Sequence, residues 1–182
     1  YFNASGDRNT FEASQEGDGN VAGVVGADGD DNEVYAQQYG SSNIFIARDL
    51  EGNENFVDVF QDGSANEFLI QPIQGEANFI VVQQQGNSNV VEAANGMIGN
   101  DNLIDAYQRG DNNYAVFATE GDMHNVELEQ AGDNNTAVGE SYGEQNDIMV
   151  SSRGDDNFNG VAVQGVSNDI QSRQRGDANT AE

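Results

Sequence analysis

Apolar residues recur two apart, in short clusters, along the whole chain, and each cluster keeps a fixed distance from a glycine. With that glycine as position zero, positions +5 and +7 hold Phe11 and Ala13, Phe45 and Ala47, Val57 and Val59, Ile80 and Val82, or Ile148 and Val150. Alternation of this kind predicts β-strands with one buried face. No i, i+3, i+4 stripe persists across the glycines, so helices are not predicted. The arms start near Gly6, Gly17, Gly29, Gly40, Gly52, Gly63, Gly75, Gly86, Gly99, Gly110, Gly121, Gly132, Gly143, Gly154, Gly165 and Gly176. Each glycine has asparagine three residues later, except Gly121, where His124 fills the slot. Gly-x-x-Asn reads as a turn, because glycine takes backbone conformations that side chains forbid.

The spacing between arms is 11 to 13 residues, and glutamine decides how many arms make a coil. Gln15, Gln38, Gln61, Gln84, Gln108, Gln130 and Gln174 precede every second glycine by two residues, with Ser152 the one substitution. The repeat is therefore 22–24 residues long and contains two arms. One arm is too short to bury its own face, so successive coils stack, each strand pairing with its equivalents above and below. The predicted fold is all-β: a β-solenoid of about eight two-strand coils with two facing, parallel, in-register sheets, forming a single domain over residues 1–182. One sheet stacks Phe11, Val34, Val57, Ile80, Ile104, Val126, Ile148 and Ile170; the other stacks Ala22, Phe45, Phe68, Val91, Ala115, Ala137, Asn159 and Ala181.

The asparagines and glutamines share the inward parity, where in-register amides can bond from coil to coil. The expected ladders are Gln15, Gln38, Gln61, Gln84, Gln108, Gln130 and Gln174, with Asn20, Asn43, Asn66, Asn89, Asn113, Asn135 and Asn179. Irregular positions have plain readings: Asn95-Gly96 as a two-residue loop extension, Pro72 at a strand end, and His124 in an asparagine slot.

Charge narrows the partners. Six Arg, no Lys and 32 acidic residues leave a formal net charge of −26. Such a surface repels phosphate backbones and anionic lipid, so neither nucleic acid binding nor membrane insertion is expected. The chain opens on Tyr1 instead of Met, which reads as a processed or trimmed product. With no Cys and one His, and no carboxylate pair departing from the repeat, the reading is not an enzyme and has no cofactor. The one column with site-like chemistry is Asp111, Asp133, Asp155 and Asp177, one residue after successive glycines. Neighbours about 5 Å apart repel by about 1 kcal/mol per pair even in water, so a solvated face is the plain reading. Binding of Ca²⁺, which accepts carboxylate oxygens, is the alternative. Asp28-Gly29-Asp30-Asp31-Asn32 begins like an EF-hand loop, but Tyr39 stands where that loop needs Glu.

Gln-x-Gly-x-x-Asn, present at Gln15–Asn20, Gln38–Asn43, Gln61–Asn66, Gln84–Asn89, Gln108–Asn113, Gln130–Asn135 and Gln174–Asn179, resembles the centre of the curlin repeat. The alanine that follows in that repeat is matched by Ala22, Ala115, Ala137 and Ala181. Its leading serine is replaced by asparagine, as at Asn9, Asn32 and Asn55, and its closing glutamine is missing. The resemblance implies a secreted, extracellular amyloid subunit that polymerises into curli-type fibres of a biofilm matrix and serves adhesion. Its implied partners are identical subunits, a nucleator subunit and a dedicated secretion system. The alternative is a monomeric β-solenoid adhesin that binds Ca²⁺ or a surface.

The ends of a coil stack are unpaired strand edges, which favour polymerisation unless capped. The last arm stops at Ala181 and Glu182, and Tyr1, Phe2 and Ala4 supply about the half-arm it lacks. These residues are the expected subunit junction. Outward apolar positions, among them Ile46, Leu69, Phe56, Phe79 and Leu103, suit lateral bundling or adhesion.

Overall fold

The computed structural model describes residues 1–120, 125–143 and 145–181. It contains eighteen strands, numbered in chain order, and no helix among the described residues. The first sheet is formed by β2 (Thr10–Glu16), β4 (Glu33–Ser41), β6 (Phe56–Ser64), β9 (Phe79–Asn87), β11 (Leu103–Arg109), β13 (Asn125–Ala131), β15 (Asp147–Arg153) and β17 (Asp169–Arg175), in that spatial order. The second runs through β1 (Phe2–Ser5), β3 (Val21–Asp28), β5 (Ile44–Glu51), β7 (Glu67–Ile70), β10 (Val90–Ile98), β12 (Tyr114–Glu120), β14 (Thr136–Tyr142), β16 (Phe158–Gln164) and β18 (Thr180–Ala181). β8 (Ile73–Gln74) continues the level of β7, pairing with β5 and β10. Every pairing is parallel, and the chain alternates between sheets, so the molecule is a two-sheet β-solenoid.

Complete coils run from β2–β3 to β15–β16, about seven turns, flanked by the partial arms β1 and β17–β18. The expectation of about eight coils counted those terminal arms as one further turn. The predicted core columns are in register throughout. Phe11 pairs with Val34, Val57 with Ile80, Ile104 with Val126 and Ile148 with Ile170. On the facing sheet Ala22 pairs with Phe45, Phe68 with Val91, Ala115 with Ala137 and Asn159 with Ala181. Phe45 and Phe68 stack with ring centroids 5.6 Å apart. Each fully buried Ile or Phe contributes about 1.5–3 kcal/mol, and stacking supplies the burial no single arm achieves.

A third inward column of the second sheet was not expected. It runs Ala27, Leu50, Ile73, Met97, Thr119, Ser141 and Val163. Five apolar side chains and the buried hydroxyls of Thr119 and Ser141 thus line the inner position at or just beyond the slot where the resemblance placed a second glutamine. Asn95-Gly96 is also a correction, because the two additional residues lie within β10 and not in a loop. The register against β12 shifts between Ala93 and Met97, forming a bulge. Pro72 separates β7 from β8, as befits a residue without an N–H to give to the ladder.

Candidate functional site

Each turn makes one rung. In Gly63-Ser64-Ala65-Asn66 the glycine has φ 127° and Ala65 has φ 56°, which reverses the chain and leaves the asparagine facing inward. Asn66 then holds three coils together. Its Nδ2 donates to Asn43 Oδ1 at 3.1 Å and to the Gly86 carbonyl at 2.8 Å, and its Oδ1 accepts from Asn89 Nδ2 at 3.1 Å. The same side-chain bonding runs from Asn43 through Asn66, Asn89, Asn113, Asn135 and Asn157 to Asn179, and at the first rung the Asn43 backbone N–H donates to Asn20 Oδ1.

The opposite flank has its own ladder, Asn9, Asn32, Asn55, Asn78 and Asn102, resumed by Asn146 and Asn168. These are the residues that replace the leading serine of the curlin repeat, so the substitution turns a hydroxyl position into a second amide column. His124 lies outside the described residues.

Glutamine forms the third ladder. Gln61 Nε2 donates to Gln84 Oε1 at 2.7 Å and, across the core, to the Ile44 carbonyl at 2.9 Å. Gln15, Gln38, Gln84, Gln108 and Gln130 continue the column. Each side chain from Gln38 onward bonds a carbonyl of the facing arm, so this ladder also ties the two sheets.

Ser152 interrupts it, and Asn159 answers. Ser152 Oγ donates to Asn159 Oδ1 at 3.0 Å, and Asn159 Nδ2 donates to the Ser151 carbonyl at 3.3 Å. Two departures from the repeat are therefore one local rearrangement. The repair is incomplete, because Gln174 Oε1 is buried without a partner, as is Ser172 Oγ. Restoring the regular pair by Ser152→Gln with Asn159→Ala is expected to stabilise the chain by about 1–2 kcal/mol, the value of re-pairing a buried amide. Ser152→Gln alone, which leaves Asn159 in the way, is expected to gain nothing. Thermal unfolding midpoints of the two variants provide the check.

The ladders have opposite senses. Asparagine Nδ2 groups donate toward the β2 end, whereas glutamine Nε2 groups donate toward the β17 end. The two ends of the stack consequently differ. At the β2 end, among the described residues, Gln15 Oε1 receives no bond and the backbone N–H groups of Asn9 and Asn20 have no acceptor, whereas the backbone N–H groups of Asn32 and Asn43, one coil on, bond Asn9 and Asn20 Oδ1. At the β17 end nothing described donates to Asn168 or Asn179 Oδ1, and Gln174 Nε2 reaches only the Phe158 carbonyl, at 2.8 Å. Phe11, Ala13 and Gln15 would face inward in a middle coil; here Ala13 and Gln15 are exposed and Phe11 is half-buried.

The expected junction residues lie at these ends. Phe2 pairs with Val24 and Ala4 with Ala27, covering the second half of β3, while Ala181 pairs with Asn159 at the first half of β16. Phe2 also stacks on Phe11, centroids 5.6 Å apart. The Tyr1 carbonyl accepts the Val24 N–H at 2.9 Å. Glu182 lies outside the described residues.

The aspartate column is bonded lengthwise. The backbone N–H groups of Asp111, Asp133 and Asp155 donate to the carboxylates of Asp133, Asp155 and Asp177 at 2.8 to 3.0 Å. Those bonds offset part of the like-charge repulsion and continue the turn-to-turn pairing. Among the described residues no three acidic or histidine side chains converge on a point that would hold a metal ion. On the outer face of the first sheet Phe56 and Phe79 stack at 4.6 Å. Asp58 and Asp105 flank Val81 there, and burial pushes both carboxyls above the usual range, the Val59 N–H partly opposing it at Asp58. The hydrogen bond from Arg8 holds the Asp31 carboxyl below its usual range.

Among known proteins, a family model for the curlin associated repeat matches residues 6–43 and 99–132. No curated protein and no solved structure matches the chain.

Proposed function

We propose that this chain, two segments of which match the curlin associated repeat, is a structural subunit of an extracellular curli-type fibre, lengthened by adding copies head to tail. The observation that supports this reading is the inequality of the two ends. The β17 end offers the side-chain Oδ1 atoms of Asn168 and Asn179, and the β2 end offers the backbone N–H groups of Asn9 and Asn20. Gln15 Oε1 likewise suits Gln174 Nε2. Unlike ends that fit each other make a heterologous joint, and a joint that does not close by rotation gives a filament. In the second sheet β18 and the β1 of the next copy occupy complementary halves of one strand level. Secretion, a biofilm and adhesive role, and a nucleator partner follow from the family reading; no catalytic role is assigned.

Cryo-electron microscopy of the purified 182-residue chain, left to assemble, tests this. Eight levels of the first sheet at the usual strand spacing predict an axial rise of about 4 nm per subunit. Deleting residues 1–5, which removes β1, is expected to slow elongation. Persistent soluble monomers would overturn the reading and favour a monomeric adhesin.

A further inference from the structure

We propose that a charge clamp, Arg173 and Arg175 on β17 against Glu12 and Glu16 on β2 of a second copy, sets the polarity and register of the subunit joint. The inference rests on head-to-tail stacking as the mode of assembly. Arginine is scarce, six residues against 32 acids, yet two of the six sit on the last strand of the first sheet. Neither forms an ion pair among the described residues, where the pairs are Arg8–Asp31 and Arg153–Glu129; the Arg173 Nη2 group donates to Met149 Sδ at 3.4 Å. Glu12 and Glu16, on the first strand of the same sheet, also lack a cation among the described residues. All four side chains are exposed and point outward, alternating with Ile170, Ser172 and Gln174 or with Phe11, Ala13 and Gln15.

Register fixes which charges meet. Ser152 pairs with Gln174, and Gln15 pairs with Gln38. Continuing that column across a joint sets Gln174 of one copy against Gln15 of the next, and Ile170 against Phe11. Arg175 then falls directly opposite Glu16, and Arg173 opposite Ser14, diagonal to both glutamates. Diagonal neighbours on one sheet face are within reach of long side chains. The chain already contains such a pair: Arg153, opposite Ala131, reaches diagonally to Glu129 at 3.5 Å. Asp177 meets Asp18 in the same register, repeating the Asp155–Asp177 arrangement, in which a backbone N–H bonds the facing carboxylate at 3.0 Å.

The arrangement also discriminates against wrong joints. Two β17 edges would place arginines together, and two β2 edges would place glutamates together, so only the head-to-tail joint pairs opposite charges. This matters in a chain of net charge −26, in which two copies repel at long range.

The test uses seeded elongation of the 182-residue chain at low ionic strength. Glu12→Arg with Glu16→Arg lowers the net negative charge, so repulsion alone predicts faster growth; the clamp predicts growth slower by about tenfold or more. Arg173→Glu with Arg175→Glu is expected to slow growth equally. A control with Arg48→Glu and Arg109→Glu, of the same net charge but away from the joint, is expected to grow faster than that variant. Mixing the two joint variants is expected to restore growth, because each variant's β17 then meets an opposite charge on the other's β2. All four sites are exposed, and the milder Arg175→Gln provides a second reading if a double variant misfolds. Growth of the Glu→Arg variant at or above the parent rate, or a mixture no faster than either variant alone, overturns the clamp. A parent chain that forms no filaments instead overturns the stacking reading beneath it.

Discussion

Gly63→Ala is expected to destabilise the chain by about 3 kcal/mol or more, although it adds only one methyl group. At φ 127° the alanine would carry the strain of a backbone region open to glycine, of order 1–3 kcal/mol. The new Cβ would also collide with the Gly86 carbonyl oxygen of the next coil, 1.9 Å away. That oxygen cannot move freely, since it accepts the Asn66 Nδ2 bond at 2.8 Å. Overpacking of this kind adds a further 1–3 kcal/mol or so. The guanidinium midpoint should fall sharply for Gly63→Ala. It should barely change for Ala65→Gly two residues on, where φ is 56° and glycine is at ease. Equal effects at the two positions would contradict the close coil-to-coil approach.

Gln61→Leu is the second large effect, expected at about 3 kcal/mol. The substitution keeps the volume and removes the amide. It strands Gln84 Oε1 and the Ile44 carbonyl, both partners of Gln61 Nε2, and deprives Gln38 Nε2 of one acceptor. A buried group left without a partner costs about 1–3 kcal/mol, and Gln61 is fully buried. The same change at Gln15, exposed at the β2 end and bonded only to Gln38, is expected to cost roughly 1 kcal/mol or less. Denaturant titration of both variants measures the contrast. A position-independent loss would mean that the ladder acts through local turn preference and not through connected amides.

The core columns were legible in the sequence because strand periodicity is two, and Phe11, Val34, Val57 and Ile80 recur without slippage. The ladders were legible because glutamine keeps its place before every second glycine except at Ser152. The third inward column of the second sheet was not. The early arms of the second sheet carry an additional residue, so Ala27, Leu50 and Ile73 lie one place beyond the expected slot. Bulges and register shifts reset that phase, and periodicity alone cannot place them. The pairing of Ser152 with Asn159 was hidden for a different reason. It links residues on facing sheets, and each looked like an isolated departure until the coil closed. The opposite senses of the ladders depend on amide orientation, which residue identity does not encode.

The break at Ser152 has a mechanical consequence. Under tension along the axis, the bonds within one level share the load, whereas successive levels carry it in series. The steps from β13 to β15 and from β15 to β17 lack the glutamine rung that joins Gln38, Gln61 and Gln84, so the same pull there passes through fewer bonds. Within each subunit of the proposed fibre, a stretched chain would therefore yield first at the two steps on either side of β15, where a single serine stands in the glutamine column.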